Sequence, residues 1–189
     1  MFSFGGPQFG LREGKLARWL PGGGFGANVN IPSIQVLSYE AVVTNQDLKG
    51  NDKLTATASR IEAANVTFRF GSISLEVLEA ITGNAMQSSG SGASAYRFVP
   101  LTNRRLPYFG VSGKAASEET EGETHMFAPK CKVVGNFTLR FEQDNFSIPE
   151  LSCRAIADDN YKDADGNDWV FAPIEYASAK AVSLPPHGF

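Results

Sequence analysis

Alternation with a period of two runs through most of this chain's candidate regular structure, and it restricts the fold to a sheet. Residues 66 to 70 set Val66, Phe68 and Phe70 against Thr67 and Arg69. Residues 54 to 58 set Leu54, Ala56 and Ala58 against Thr55 and Thr57. Residues 131 to 141 oppose Cys131, Val133, Phe137, Leu139 and Phe141 to Lys132, Asn136, Thr138 and Arg140. Each stretch is expected to be a strand with one buried face. Residues 34 to 44 are rich in β-branched and aromatic side chains but alternate poorly. That pattern is expected of a strand covered on both faces, one of them by a neighbouring subunit.

One segment follows a helical period instead. Leu75, Leu78 and Ile81 recur three residues apart, Ser74 can cap the N-terminus, and Glu76 lies in the first turn, where the helix dipole favours it. Gly83 can take the left-handed position that ends a helix. The expectation is a mainly β fold, a small sandwich or barrel, with one short α-helix over 74–82 covering an open end of the core rather than meeting a partner. At 189 residues with 42% hydrophobic and 20% charged composition, one such domain spanning 1–189 has material for a real core. Glycine and proline mark long loops at 19–33 and 83–95, and an extended C-terminal arm at 183–189. Nine of the twenty acids sit in two short segments, Ser117–Glu123 and Asp158–Asp168, expected to be solvated loops because like charges resist burial.

Much chemistry is excluded. Two histidines, His125 and His187, leave little for imidazole catalysis or a His-rich metal site. A net charge of −3 argues against a protein that grips nucleic acid through phosphates. No apolar run approaches the roughly 18 residues of a membrane span. Met1–Pro7 lacks the basic and apolar regions of a secretory signal. The Asn65, Asn136 and Asn145 sequons therefore read as ordinary strand and turn residues. Cys131 and Cys153 are expected to be buried free thiols in a reducing compartment. A hairpin about Asp144-Asn145 would set Cys131 opposite residue 158, not opposite Cys153.

Gly22–Ala27 imitates a dinucleotide fingerprint, but Asn28–Pro32 cannot open the helix that motif requires. Gly113-Lys114 lacks the following Ser or Thr of a P-loop. Asp163-Ala164-Asp165-Gly166 resembles part of a calcium loop, yet Tyr161 and Ala172 occupy the positions of its first and last ligands. A polar turn with Asp165-Gly166 at its tip is the simpler expectation. Asp159 and Asp165 have no geometry to recommend them as a catalytic carboxylate pair. No enzymatic activity, metal or cofactor is expected.

The set Thr55, Thr57, Ser59, Asn65, Thr67 and Arg69 is polar and almost uncharged. It is either a solvated sheet face or one that lines a lumen or meets a neighbour. Unpaired edges and long loops without catalytic residues suggest a building block satisfied by copies of itself.

An ordered series of phrases carries a family resemblance. Ile31-Pro32-Ser33 and Tyr39-Glu40 precede Asp47-Leu48-Lys49-Gly50-Asn51-Asp52-Lys53, which continues as Leu54-Thr55-Ala56-Thr57-Ala58 and later as Gly71-Ser72-Ile73-Ser74-Leu75-Glu76. This order resembles the tail tube (major tail) proteins of long-tailed bacteriophages, best over residues 8–83. A weaker likeness continues through Lys130–Val133, the hairpin at Asp144 and Pro149–Leu151. The resemblance implies β-sandwich subunits forming hexameric rings stacked into the virion tail, assembled in the host cytoplasm. They would meet tail tip and terminator proteins and conduct DNA through the lumen without specific binding or a membrane. It implies inter-subunit contacts from Asp47, Lys49, Asp52 and Lys53 at the hairpin tip, and from the aromatics Trp19, Phe25 and Phe189, read as exposed. It also implies that Thr55, Thr57, Ser59, Asn65, Thr67 and Arg69 face the lumen. Arg69 would then need an acid such as Glu62. The alternatives are a contractile-tail or secretion tube of the same fold, or a calcium-dependent ligand-binding β-sandwich module using the Asp158–Asp168 loop.

Overall fold

A computed structural model describes residues 8–22, 24–50, 53–72, 74–117, 122–136 and 149–176, without the side chains of 8, 9, 49, 50, 53–55 and 117. The hairpin proposed at 144, most of the 117–123 acidic segment and the arm 183–189 lie outside the described residues. The fold is mainly β with one short helix. Its elements are β1 (Gln8–Leu20), β2 (Gly24–Phe25), β3 (Val29–Asn30), β4 (Ile34–Gly50), β5 (Lys53–Phe70), α1 (Leu75–Thr82), β6 (Gln87–Ser89), β7 (Tyr96–Phe98), β8 (Phe109–Ser117), β9 (Glu123–Val133), β10 (Glu150–Ile156), β11 (Asp158–Lys162), β12 (Asp168–Trp169) and β13 (Ala172–Tyr176).

Nine strands form one sheet in the order β2-β1-β8-β9-β10-β5-β4, with β3 also on β1 and β13 on β9; all the pairings are antiparallel. The sheet folds on itself, bringing β4 across β1, β8 and β9. Two glycines make this approach possible. Gly14 and Gly113 are register partners on β1 and β8, and a Cβ on them would lie 2.5 Å from Ile34 Cδ1 and 2.2 Å from Leu37 Cδ2, respectively. Further along β4, the Tyr39 hydroxyl donates to the Met126 carbonyl at 3.3 Å, and its ring stacks on Phe171. The enclosed core contains Leu16, Val66, Phe68, Phe109, Val111, Cys131 and Leu151, all essentially inaccessible. Burial of each large apolar side chain contributes about 1.5–3 kcal/mol.

The helix closes one side of this core. Ser74 Oγ accepts from the Val77 amide, and Gly83 ends the helix at φ 72° while donating its amide to Glu79. Leu78 and Ile81 are buried as the spacing predicts; Val77 and Ala80 join them.

Several expectations need correction. The 19–33 segment is not a long free loop, because β2 and β3 fold back onto β1 and the Gly26 and Ile31 amides donate to Arg18 and Gly14. The 83–95 segment contains β6, which pairs with β7, and a 3₁₀ turn at Gly92–Ser94. The poor alternation over 34–44 has a local cause: pairs Ile34–Phe70 and Val36–Arg69 leave Gln35 as a bulge, which moves the following residues to opposite faces. Val36 and Val43 are 40% and 51% exposed, so the described residues do not cover this strand on both faces, and cover by a neighbouring subunit is part of the assembly proposed below. Cys131 pairs with Ala155, and Cys153 with Val133, rather than the register implied by a turn at 144–145. Both cysteines are free and buried, and burial pushes both thiols above their ordinary pKa.

Gly113→Ala is expected to destabilise the fold by about 1–3 kcal/mol through overpacking against Leu37. Urea unfolding should show it, and combining it with Leu37→Ala should lose less than the sum of the single changes.

Candidate self-association surface

The most unusual element is the outer half of the β4–β5 hairpin. Strand β10 pairs with β5 from Ala63 to Arg69 only, whereas β4 and β5 stay paired out to Gly50 and Lys53. The outer ten residues of β5 therefore belong to a two-stranded ribbon, roughly 30 Å long at about 3.3 Å per residue. Residues 56–62 are all exposed, as are 43 and 45–48, so Ala56 and Ala58 do not lie on a buried face as their alternation predicts. Thr57 Oγ1 donates to Asp47 Oδ1 at 2.8 Å, and Thr44 Oγ1 donates to Glu62. The apolar register pair Val43–Ile61 is 51% and 53% exposed, and Leu48 is 63% exposed. The other edge of β4 is unpaired among the described residues.

A second bulge decides which side chains share a face. Val42 pairs with Ala63 and Val43 with Ile61, leaving Glu62 unmatched. Alternation consequently reverses there. Asn65, Thr67 and Arg69 lie on the face of Ser38 and Glu40, whereas Thr57 and Ser59 share the opposite face with Asn45 and Asp47. The six residues expected to form one lumen face do not form one. Thr55 is itself unmatched, between pairs Leu48–Ala56 and Lys49–Leu54. Arg69 pairs with Glu150 at 2.5 Å, not with Glu62.

Two of the three aromatics predicted to be exposed, Trp19 and Phe25, are engaged within the chain. Trp19 Nε1 donates to Asp158 Oδ2 at 2.8 Å, its ring packs edge-on against Tyr108, and Lys130 Nζ sits 4.6 Å from its centroid. Phe25 packs against Phe127 and Tyr161 in a second small core on the sheet's other face. Asp47 is exposed on the ribbon; the side chains of Lys49 and Lys53 are not described, and Asp52 and Phe189 lie outside the described residues.

The 158–168 segment divides in two. Asp158 is fully buried, taking the Trp19 indole N–H and both the amide and the side-chain nitrogen of Asn160. The remainder is the expected polar turn. Asp163 Oδ1 accepts from the Asp165 and Asn167 amides, and Oδ2 accepts from Asn167 Nδ2. These bonds, led by the Asn167 side chain, hold the Asp163 carboxyl below its ordinary pKa. Among the described residues no cluster of three His, Cys, Asp or Glu side chains could hold a metal, and no helix is long and apolar enough to cross a membrane.

Between the ribbon's base and the connection into β13 lies a notch of about 530 Å³. Ile61, Trp169, Val170 and Phe171 supply apolar lining, and Asp163 and Asp168 also line it. It opens where β10 leaves the sheet at Ile156 and β13 joins β9 at Ala172–Phe127. Sequence reasoning missed this site and the Trp19–Asp158 bond. No known protein family and no curated protein matches the chain.

Trp19→Phe leaves Asp158 Oδ2 without its indole donor and should cost about 1–3 kcal/mol in urea unfolding. A second prediction concerns His125, which is buried with Nε2 3.5 Å from Glu123 Oε2 and without a hydrogen bond. Burial lowers its pKa below 6.5, with Lys114 acting in the same direction and Glu123 and Glu13 opposing. The unfolded chain therefore binds this proton more readily, so the stabilisation present above about pH 6.5 falls as the pH drops through and below that value. Urea midpoints at about pH 7.5 and 5.5 should differ less in His125→Gln than in the parent chain.

Proposed function

We propose that the chain is a non-enzymatic structural subunit that assembles with copies of itself, as stacked hexameric rings, into the tail tube of a long-tailed bacteriophage. The tube would conduct DNA during ejection and meet tip and terminator proteins at its ends. The observation that carries this reading is the ribbon of β4 and β5. An isolated two-stranded hairpin is marginal in water, and an unpaired strand edge is a template for another chain. This ribbon combines both features with the exposed pair Val43–Ile61 and the exposed Leu48. Contact with neighbouring copies would cover it. The ordered phrases between Ile31 and Glu76 support the choice of tail tube among self-assembling β proteins.

Negative-stain electron microscopy across a concentration series tests the proposal directly. Uniform rings or hollow tubes with six-fold end views are expected. Compact monomers at every concentration, both alone and with a tail-tip initiator complex, would overturn it.

A further inference from the structure

The chain carries, at two separate places, surfaces of matching chemistry. The first is the excursion 84–107 between α1 and β8. It has no Asp, Glu or Lys, but includes Arg97, Arg104 and Arg105. Its ribbon β6–β7 pairs with no other strand among the described residues. Tyr96 and Phe98 stand on one face of β7 with ring centroids 5.9 Å apart, 58% and 37% exposed, and Leu101 is 56% exposed. Arg97 reaches Glu76 at 3.6 Å, whereas Arg104 and Arg105 are exposed and have no ion pair among the described residues. Exposed aromatics beside arginine are the composition of interface anchors rather than of a solvated loop.

The second surface is the notch beside β13. It offers apolar lining from Ile61, Trp169, Val170 and Phe171, together with Asp163 and Asp168. Asp165 is exposed at the tip of the adjoining turn, and Lys162 is paired with Asp168. A surface with apolar anchors and arginines fits such a notch in both polarity and charge.

We propose that the notch receives the 84–107 excursion of a second copy of this chain, with Tyr96, Phe98 or Leu101 filling the apolar space and Arg104 and Arg105 meeting the aspartates. The two surfaces are different, so the contact is heterologous and repeats from copy to copy, closing into a ring if the rotation allows. This inference rests on the self-assembly reading and names one of its interfaces.

Sedimentation velocity of the full chain across a concentration series provides the test, with far-ultraviolet circular dichroism and urea unfolding to establish that each variant folds. Arg104→Glu with Arg105→Glu should weaken association at least about ten-fold, as like charges face each other. Asp165→Arg with Asp168→Arg should do the same from the other side, leaving the turn-forming Asp163 in place. An equimolar mixture of the two variants should associate again. In alternating order, each reversed excursion meets a reversed notch and each native excursion meets a native one. Tyr96→Ser with Phe98→Ser should weaken association without rescue by the charge variants. Failure of the mixture to recover, or unimpaired association of either charge variant, overturns this interface while leaving self-assembly standing. A parent chain that remains monomeric throughout, both alone and with a tail-tip initiator complex, overturns both.

Discussion

The passage of β4 across β1 and β8 at Gly14 and Gly113 is the constraint on which the rest of the structure depends. Side chains at those two positions would occupy the space of Ile34 and Leu37. Without that space, the sheet could not fold back closely enough to enclose Phe68, Phe109 and Val111 between its own halves. Close packing gives such an approach little latitude, because interiors are as dense as organic crystals. The helix then has an open side of a preformed core to cover, and its buried residues run from Val77 to Thr82.

That closure also explains why the hairpin divides into two regimes. Its inner half has β10 on one side and the core beneath it, whereas its outer half extends beyond β10 and, among the described residues, meets only its own partner. The bulge at Glu62 lies at this boundary. A one-residue insertion reverses which side chains share a face, so Asn65, Thr67 and Arg69 present to one side and Thr57 and Ser59 to the other. The ribbon is consequently polar on both faces in places and apolar at Val43 and Ile61, a distribution suited to different neighbours on its two sides.

Where a side chain's role was set by near neighbours in the chain, it was legible beforehand. Ser74 capping Val77, Gly83 in the left-handed conformation, and the burial of Val66, Phe68 and Phe70 all follow from spacing within a few residues. The Asp163 turn follows in the same way, because its carboxylate bonds amides two and four residues on. Asp158 was misread as a solvated acid because Trp19, the donor to its Oδ2, is 139 residues away. Trp19 and Phe25 were misread as exposed anchors for the corresponding reason: Tyr108, Lys130, Phe127 and Tyr161, which cover them, are brought close only by sheet order.

By itself, then, the sequence determined the class of the fold, the helix and its caps, and the strand faces of the inner hairpin. All are consequences of local periodicity and composition, which act before any long-range contact forms. Tertiary structure alone decided the register of Cys131 and Cys153, the reversal of faces at Glu62, the pairing of Arg69 with Glu150, and the notch left where β10 departs. Those depend on which strand lies beside which and where each pairing stops. Alternation specifies a face but carries no information about the partner across it.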